Sequence, residues 1–232
     1  MNGVSLRSVR DMTPDEPTSE SDSALEPAFH SRGGHWLARG LKRLIDVFGS
    51  ALGLAILAPF LFSIFIAIRI ESPGKAIFRQ RRSGYLGKTF NIYKFRTMRV
   101  TEDGPNIVQA TRDDQRITGL GRVMRRTSID ELPQLINVLI GDMSLVGPRP
   151  HALAHDEYYG AVIQNYDERF VVRPGITGLA QVSGLRGPTE EISMMAARVE
   201  KDLEYIRTWS LVLDLKILFQ TLAIFAFQPE AH

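Results

Sequence analysis

The chain of 232 residues carries 28 Lys and Arg against 26 Asp and Glu, a formal net charge of +2, and no cysteine. That length suffices for one sizeable domain with a core of its own, and the missing thiols exclude disulfides and thiolate metal sites and favour a reducing, cytoplasmic-side setting. Residues 1–30 hold six acids and two bases while residues 31–232 hold 20 acids and 26 bases, so an acidic tail precedes a basic body suited to nucleic acid, anionic lipid or a phosphorylated small molecule.

Residues 1–34 are rich in Ser, Asp, Glu and Pro and hold too few large apolar residues to offset ordering entropy, so they are expected to form a disordered acidic tail. They do not resemble a secretory signal, because the apolar run comes too late. Residues 38–71 are expected to form a membrane helix. Within them Val47 to Ile68 is a 22-residue stretch without a charge, and ~20 such residues can cross a bilayer. Arg39, Lys42 and Arg43 precede the stretch, and Arg69, Lys75, Arg79, Arg81 and Arg82 follow it. Short basic flanks stay on the cytoplasmic side, so both ends call for the same side. Pro59 removes one backbone N–H and clashes with the Ala55 carbonyl, which breaks the helix into two arms. Each arm is about half the length needed to span, which predicts a re-entrant helix that dips into one leaflet. The freed carbonyl needs a donor, such as the Ser63 hydroxyl, or cover by protein. A kinked span and a buried helix of a soluble protein are the alternatives.

Residues 72–232 are expected to form a globular catalytic domain at the cytoplasmic face, ending in an interfacial helix. "SPG" at 72–74 is a turn, and "AIFRQRR" and "KTFNIYKF" alternate like short strands. Residues 100–116 read as a polar loop. Leu132, Leu135, Ile136, Leu139 and Ile140 recur as one apolar helix face that Gly141 terminates. "SLVGPRP" and "VVRPGITGLAQVSGLRG" are dense in Gly and Pro and predict shaped loops. Thr189, Glu190 and Glu191 open a further helix whose Ile192, Met195, Ala196, Val199, Leu203 and Ile206 share a face. "WSLVLDLKILFQTLAIFAF", Trp209 to Phe227, is apolar but interrupted by Asp214, Lys216 and Gln220, as suits a helix lying in the membrane interface. The resulting fold class is α+β, mainly helical, with small strands, a broken membrane helix and amphipathic interfacial helices.

"TSIDELPQL", Thr127 to Leu135, sets Asp130 beside Glu131 before an apolar run. One reading is structural: acids favour the first turn of a helix, and Ser128 with Glu131 matches a capping box. The other is chemical, and the cations argue for it. Lys94, Arg96, Arg125, Arg126, Arg149, Arg173 and Arg186 sit mostly in Gly- and Pro-shaped segments, and Arg and Lys converging on one site bind phosphates. Beside them an ionised carboxylate can attack phosphorus or hold Mg²⁺, and two adjacent ones can divide those roles.

The segments "KFRTM", "RITGLGRVMRRTSIDELPQLINVLIGDMSLVGPRP", "VRPGITGLAQVSG" and "DLEYIRTWSLVLDLKILF" closely resemble the bacterial sugar transferases, monotopic phosphoglycosyl transferases that move hexose-1-phosphate onto a polyprenyl phosphate. The likeness covers about residues 38–227. It implies that Asp130 attacks the sugar-linked phosphate of a UDP-sugar, expelling UMP, and that polyprenyl (undecaprenyl) phosphate collects the phosphosugar in the first membrane step of exopolysaccharide or O-antigen synthesis. It implies Mg²⁺ on Glu131, with Lys94, Arg125, Arg149, Arg173 and Arg186 near phosphates or nucleotide. It also implies a re-entrant helix and a site at the cytoplasmic face of the bacterial inner membrane. Glucose or galactose is the expected sugar, with an N-acetylated sugar as the alternative. Three positions depart from the family pattern: Ala58 stands where Ser commonly precedes the proline, Leu179 replaces Trp, and Ser183 replaces Asn. Larger members carry several preceding spans, and this sequence is expected to correspond to the minimal catalytic unit.

Two other classes compete. A noncatalytic membrane-bound adaptor would use the basic face for anionic lipid, but gives no reason for adjacent acids among arginines. A nucleic-acid binder is disfavoured, since no stacking aromatics interleave with the bases. His151, His155 and Asp156 have helical metal-ligand spacing but lack an obvious further ligand. The sequence sets no oligomeric state.

Overall fold

The computed structural model describes residues 35–99, 114–187 and 191–227. The expected acidic tail, most of the polar 100–116 loop, and Thr189 and Glu190 lie outside the described residues. Among the described residues the architecture is α+β and mainly helical, with two separate two-stranded sheets.

Helix α1, His35–Glu71, runs through the uncharged stretch with Pro59 inside it. Its outer surface stays apolar and exposed at Leu37, Leu44, Phe48, Ile56, Phe62 and Ile66. In its first half, polar residues point inward. Asp46 accepts from the Ser144 hydroxyl at 3.0 Å and the Leu145 amide at 2.9 Å. Lys42 donates to the Val146 carbonyl at 3.0 Å and to Asp214 at 2.7 Å. On the other side of Pro59, Leu61, Ile64 and Ile68 pack with Phe95 and Met124, and Glu71 accepts the Leu120 amide at 2.9 Å. Residues on both sides of the proline therefore rest on one globular body. The Ser63 hydroxyl does not serve Ala55 as expected: it bonds the Pro59 carbonyl at 2.9 Å, four residues back along its own arm.

Strands β1, Ile77–Ser83, and β2, Thr89–Phe95, form an antiparallel hairpin in the register Ile77 to Phe95 and Ser83 to Thr89. The alternation predicted strands here, and the hairpin divides its faces accordingly. Ile92 joins Val138 and Met143 in one core cluster, while Phe95 joins Ile68, Ala76 and Met124 in another. Arg96 follows directly and is buried, donating to the Ser72 and Pro73 carbonyls at 2.7 and 2.8 Å. It pins the turn after α1 and is not part of the cationic set that its sequence neighbour Lys94 belongs to.

Helix α2, Gly119–Arg126, starts where the Thr118 hydroxyl accepts the Gly121 amide at 3.0 Å. Helix α3, Gln134–Ile140, ends at Gly141, whose φ of 100° suits a left-handed cap. Its buried residues are Gln134, Leu135, Asn137 and Val138, whereas Ile136, Leu139 and Ile140 are exposed. The predicted apolar face is thus only partly the core face. The reason is Asn137, whose amide donates to the Asn91 carbonyl at 2.7 Å and accepts the Tyr93 amide at 3.0 Å. A side chain has taken the place of a third strand beside β2, and the helix is rotated to bring it there.

Strand β3, Ser144–Val146, pairs in parallel with β4, Gly175–Thr177. The "GPRP" and "RPGITG" segments are therefore joined by a short ladder. Their backbones approach so closely that a Cβ on Gly175 would stand 2.1 Å from the Gly147 nitrogen, and one on Gly147 would stand 2.5 Å from the Arg173 carbonyl. Only glycine permits that contact. Helix α4 is Leu153–Val162, the short α5 is Leu179–Val182, α6 is Ile192–Thr208 and α7 is Leu211–Phe227. Helix α6 buries Met195, Val199 and Leu203 against Tyr159 and Tyr166, as its periodicity predicts, though Ile192 at its start is exposed. Helix α7 buries Asp214 and Ile217 and leaves Val212, Leu215, Phe219 and Leu222 exposed on the other side.

Candidate active site

The acid pair sits on a 3-10 turn, Ile129–Glu131, wedged between α2 and α3. Ser128 enters it with a φ of 53°, a left-handed conformation uncommon for a residue with a Cβ. Its side chain makes no cap hydrogen bond, so the expected capping box is not formed. The acids belong instead to a tight reversal whose backbone bonds run from the Ser128 amide to the Arg125 carbonyl and from the Glu131 amide to the Ser128 carbonyl. Because Asn137 clips α3 to β2, this reversal stands beside Lys94.

Glu131 is engaged at both oxygens. Lys94 donates to Oε1 at 2.8 Å, Arg149 Nη1 donates to Oε2 at 3.0 Å, and Arg149 Nη2 also bonds Oε1. The Arg149 fork is the bidentate geometry that carboxylates and phosphates share. Burial pushes Glu131 up, but the charges and hydrogen bonds of Arg149 and Lys94 outweigh it and hold the carboxyl well below its ordinary range. The charge of Glu131, in turn, raises Arg149.

Asp130 differs. It is half-buried and has no hydrogen bond or ion pair among the described residues. Burial and then the adjacent Glu131 charge push its carboxyl up to about 6, against the pull of Lys94, Arg125 and Arg149. At neutral pH it is an ionised oxygen pair surrounded by cations, with no donor occupying it. Lys94 is drawn down by burial, with Arg149 and Arg82 adding to the effect and Glu131 and Asp130 opposing it.

The expected site residues are placed unequally. Lys94, Glu131 and Arg149 meet directly, and Arg125 lies near enough to act on Asp130 while its guanidinium touches the Met98 sulfur at 3.8 Å. Arg186 reaches the electrostatic field of Arg149 and Glu131. Arg173 donates to the Gly141 carbonyl at 2.9 Å and lies over the Tyr85 ring, and Arg126 is exposed on α2. His151 and Asp156 both bond the Tyr166 hydroxyl, at 2.7 and 2.8 Å. Among the described residues no group of three or more His, Asp or Glu gathers to hold a metal.

Residues that sequence reasoning passed over support the site from behind. Arg169 donates to the Arg149 carbonyl at 2.7 Å and to Asp202 at 2.9 Å. Arg82, read as a basic flank, donates to the Pro150 carbonyl at 3.4 Å. No local pattern marks such roles, since the Arg149 and Pro150 carbonyls and the Asp202 carboxylate all lie far along the chain from the arginines that bond them.

Comparison with known proteins decides the family, with a match to bacterial sugar transferases over residues 37–228. The chain belongs to the bacterial sugar transferase family. It is 57% identical over 180 residues to the UDP-glucose:undecaprenyl-phosphate glucose-1-phosphate transferase of Caulobacter vibrioides, covering 78% of this chain and 67% of that protein. It is 51% identical over 183 residues to the Escherichia coli K12 protein of the same name, covering 79% of this chain and 39% of that one. The exopolysaccharide production protein PSS of Rhizobium leguminosarum is 45% identical over 185 residues, which cover 78% of this chain and 92% of its own length. The matched region spans well under half of the Escherichia coli sugar transferase and nearly all of the Rhizobium one. In this sugar transferase the family match takes in nearly all of α1, the acid pair and every arginine named above.

Proposed function

We propose that this sugar transferase moves glucose-1-phosphate from UDP-glucose to undecaprenyl phosphate through a phosphosugar carried on Asp130. The single observation behind this reading is the contrast within the acid pair: Glu131 is engaged at both oxygens by Lys94 and Arg149, while Asp130 is left without a donor in the same cationic surroundings. The relatives named for glucose-1-phosphate transfer support the choice of sugar.

The Asp130 oxygen attacks the sugar-linked phosphorus, and the phosphoanhydride P–O bond breaks so that UMP leaves with its electron pair. The acyl phosphate formed carries the glucosyl group. An oxygen of undecaprenyl phosphate then attacks the same phosphorus, the acyl P–O bond breaks, and Asp130 returns as a carboxylate. No water is consumed, and one phosphoanhydride replaces another. Lys94, Arg125 and Arg149 offset the charge that otherwise repels one anion from another. Glu131 keeps Arg149 oriented, and its own ionisation is secured by the same contacts.

The donor set fits one Mg²⁺ held by Glu131 together with substrate phosphates and water, the usual arrangement for this ion, rather than an all-protein cage. Glu131 retains acceptor capacity beyond its cationic partners. Bound there, the ion would neutralise phosphate charge.

The chain is membrane-associated: α1 is long and apolar enough to cross a bilayer, and only 6% of its apolar window is buried inside the protein. The re-entrant form is supported by contacts on both sides of Pro59 with one body. Exposed apolar residues on α3 and α7, which adjoin α1 through Arg43 and Lys42, suit burial in the same leaflet. Such a placement sets Asp130 at headgroup height on the cytoplasmic face of the inner membrane, where a soluble nucleotide sugar and a lipid phosphate can both reach it.

The test supplies UDP-glucose, UDP-galactose and an N-acetylated UDP-sugar in turn, with undecaprenyl phosphate and Mg²⁺, and measures UMP. Release with UDP-glucose is expected. Folded, membrane-bound protein that releases UMP from none of them would leave the adaptor as the better account.

A further inference from the structure

Two arginines of the site, Arg149 and Arg186, stand on different loops, and one helix reaches the back of both. On α6, Arg198 donates from Nε to the Leu185 carbonyl and from Nη2 to the Gly187 carbonyl, each at 3.0 Å. These carbonyls flank Arg186 on either side. One turn further along α6, Asp202 accepts from Arg169 at 2.9 Å, and Arg169 passes the contact on to the Arg149 carbonyl at 2.7 Å. Arg198, Arg169 and Asp202 are all buried.

The Arg186 loop needs such help. Gly184 and Gly187 bracket it with φ of +83° and +96°, and a Cβ on either would meet nothing within 4 Å. Glycine at both ends leaves the segment many conformations and gives it no side-chain packing of its own there. A buried guanidinium is a costly way to fill space, and Arg198 is bonded here to neutral carbonyls rather than to a carboxylate. Its rigid fork holds two carbonyls at a fixed separation, which a neutral side chain or a lysine ammonium does not.

We propose that Arg198 is a positioning residue for this transferase: by fixing the carbonyls on both sides of Arg186 it sets where that guanidinium meets the diphosphate of the nucleotide sugar. The Asp202 and Arg169 relay fixes Arg149 from the same helix, so α6 holds the two phosphate-directed arginines in register. The mutual influence of Arg149 and Arg186 agrees with their standing over one site. The proposal rests on the sugar transferase reading above, and names Arg186 as the group through which Arg198 acts.

The test is a double-mutant cycle on the full chain in lipid nanodiscs, with Arg198→Ala, Arg186→Ala and the pair, measuring UDP affinity directly and UMP release from UDP-glucose separately. Arg198→Ala should weaken UDP by about tenfold, the scale on which outer supports of a binding group act, and raise KM more than it lowers kcat. In the Arg186→Ala background it should weaken UDP no further, because coupled residues are not additive. Arg198→Lys should restore part of the affinity, and it carries the same cycle should the alanine variant fail to fold. Additive losses, or unchanged UDP affinity with only a lower melting temperature, would make Arg198 a packing residue and overturn the inference while leaving the transferase reading intact. A wild-type protein that neither binds UDP nor releases UMP would overturn both.

Discussion

Two carboxylate clusters in this protein look alike on paper and differ in what they leave free. Asp214 accepts from Lys42 at 2.7 Å, from Tyr205 at 2.8 Å and from the Trp209 ring nitrogen at 3.2 Å. It ties α1, α6 and α7 together, and both of its oxygens are occupied. In the Asp130 and Glu131 cluster, Glu131 collects the cations and Asp130 keeps its oxygens open. A charge network whose every acceptor is filled holds a fold; one that engages a single member and spares its neighbour has the arrangement the proposed nucleophile needs.

The sharpest way to break that comparison is to remove each carboxylate in turn. Asp130→Asn should lower UMP release by about three orders of magnitude, the scale of losing a group that acts as a covalent unit, with folded yield unchanged. Asp214→Asn should do the reverse: losing a partner of mostly buried Lys42 costs about 3 kcal/mol of stability, while turnover per folded molecule stays near wild type. Yield, thermal melting and UMP assays on the two variants decide the matter.

Glu131→Gln comes next, with an expected loss of about a hundredfold in kcat/KM, because Arg149 and Lys94 lose their common anchor. Arg149→Lys should cost about tenfold, since one ammonium cannot reproduce the fork on Glu131. Steady-state kinetics against UDP-glucose reads both.

The smallest effect is the pH response, and it sharpens the contrast between the neighbours. On the proposed mechanism Asp130 attacks as a carboxylate, so turnover should climb as pH rises through about 6. Its folded value lies above its unfolded value of about 3.9, so its contribution to stability is present below that unfolded value and lost as pH rises through about 6. Glu131, held low by Arg149 and Lys94, contributes stability above its unfolded value and loses it as pH falls through its depressed folded one. The melting profiles of wild type and Asp130→Asn should therefore diverge between about pH 4 and 6, the variant lacking the stability that the wild type loses as Asp130 ionises.

Much of this was legible in the sequence. The uncharged run through Pro59, the alternation of β1 and β2, and the acid pair followed by Arg149 between prolines are local signals, and local signals survive folding. What escaped was set by partners far along the chain. Lys94 and Arg96 are two residues apart and look equivalent, yet one meets Glu131 and the other the turn at Ser72. Asn137 interrupts an apolar face because β2 lacks a neighbouring strand, a need the helix sequence does not display. Helix α2 opens with glycines that argue against a helix, but Gly121 is required, since a Cβ there would stand 2.1 Å from the Thr97 carbonyl. Arg198 and Arg169 read as ordinary helix and loop charges until their carbonyl partners are seen.

The most direct test is to mix the protein with UDP-glucose alone, without lipid acceptor, quench in acid and locate the bound phosphosugar by fragmentation of the tryptic peptide that begins at Thr127. One glucosyl phosphate on Asp130, formed together with an equal amount of UMP and cleared on adding undecaprenyl phosphate, is the expected result. UMP that appears only once the lipid is present, with no adduct on the protein, or an adduct at any other side chain, would contradict the account.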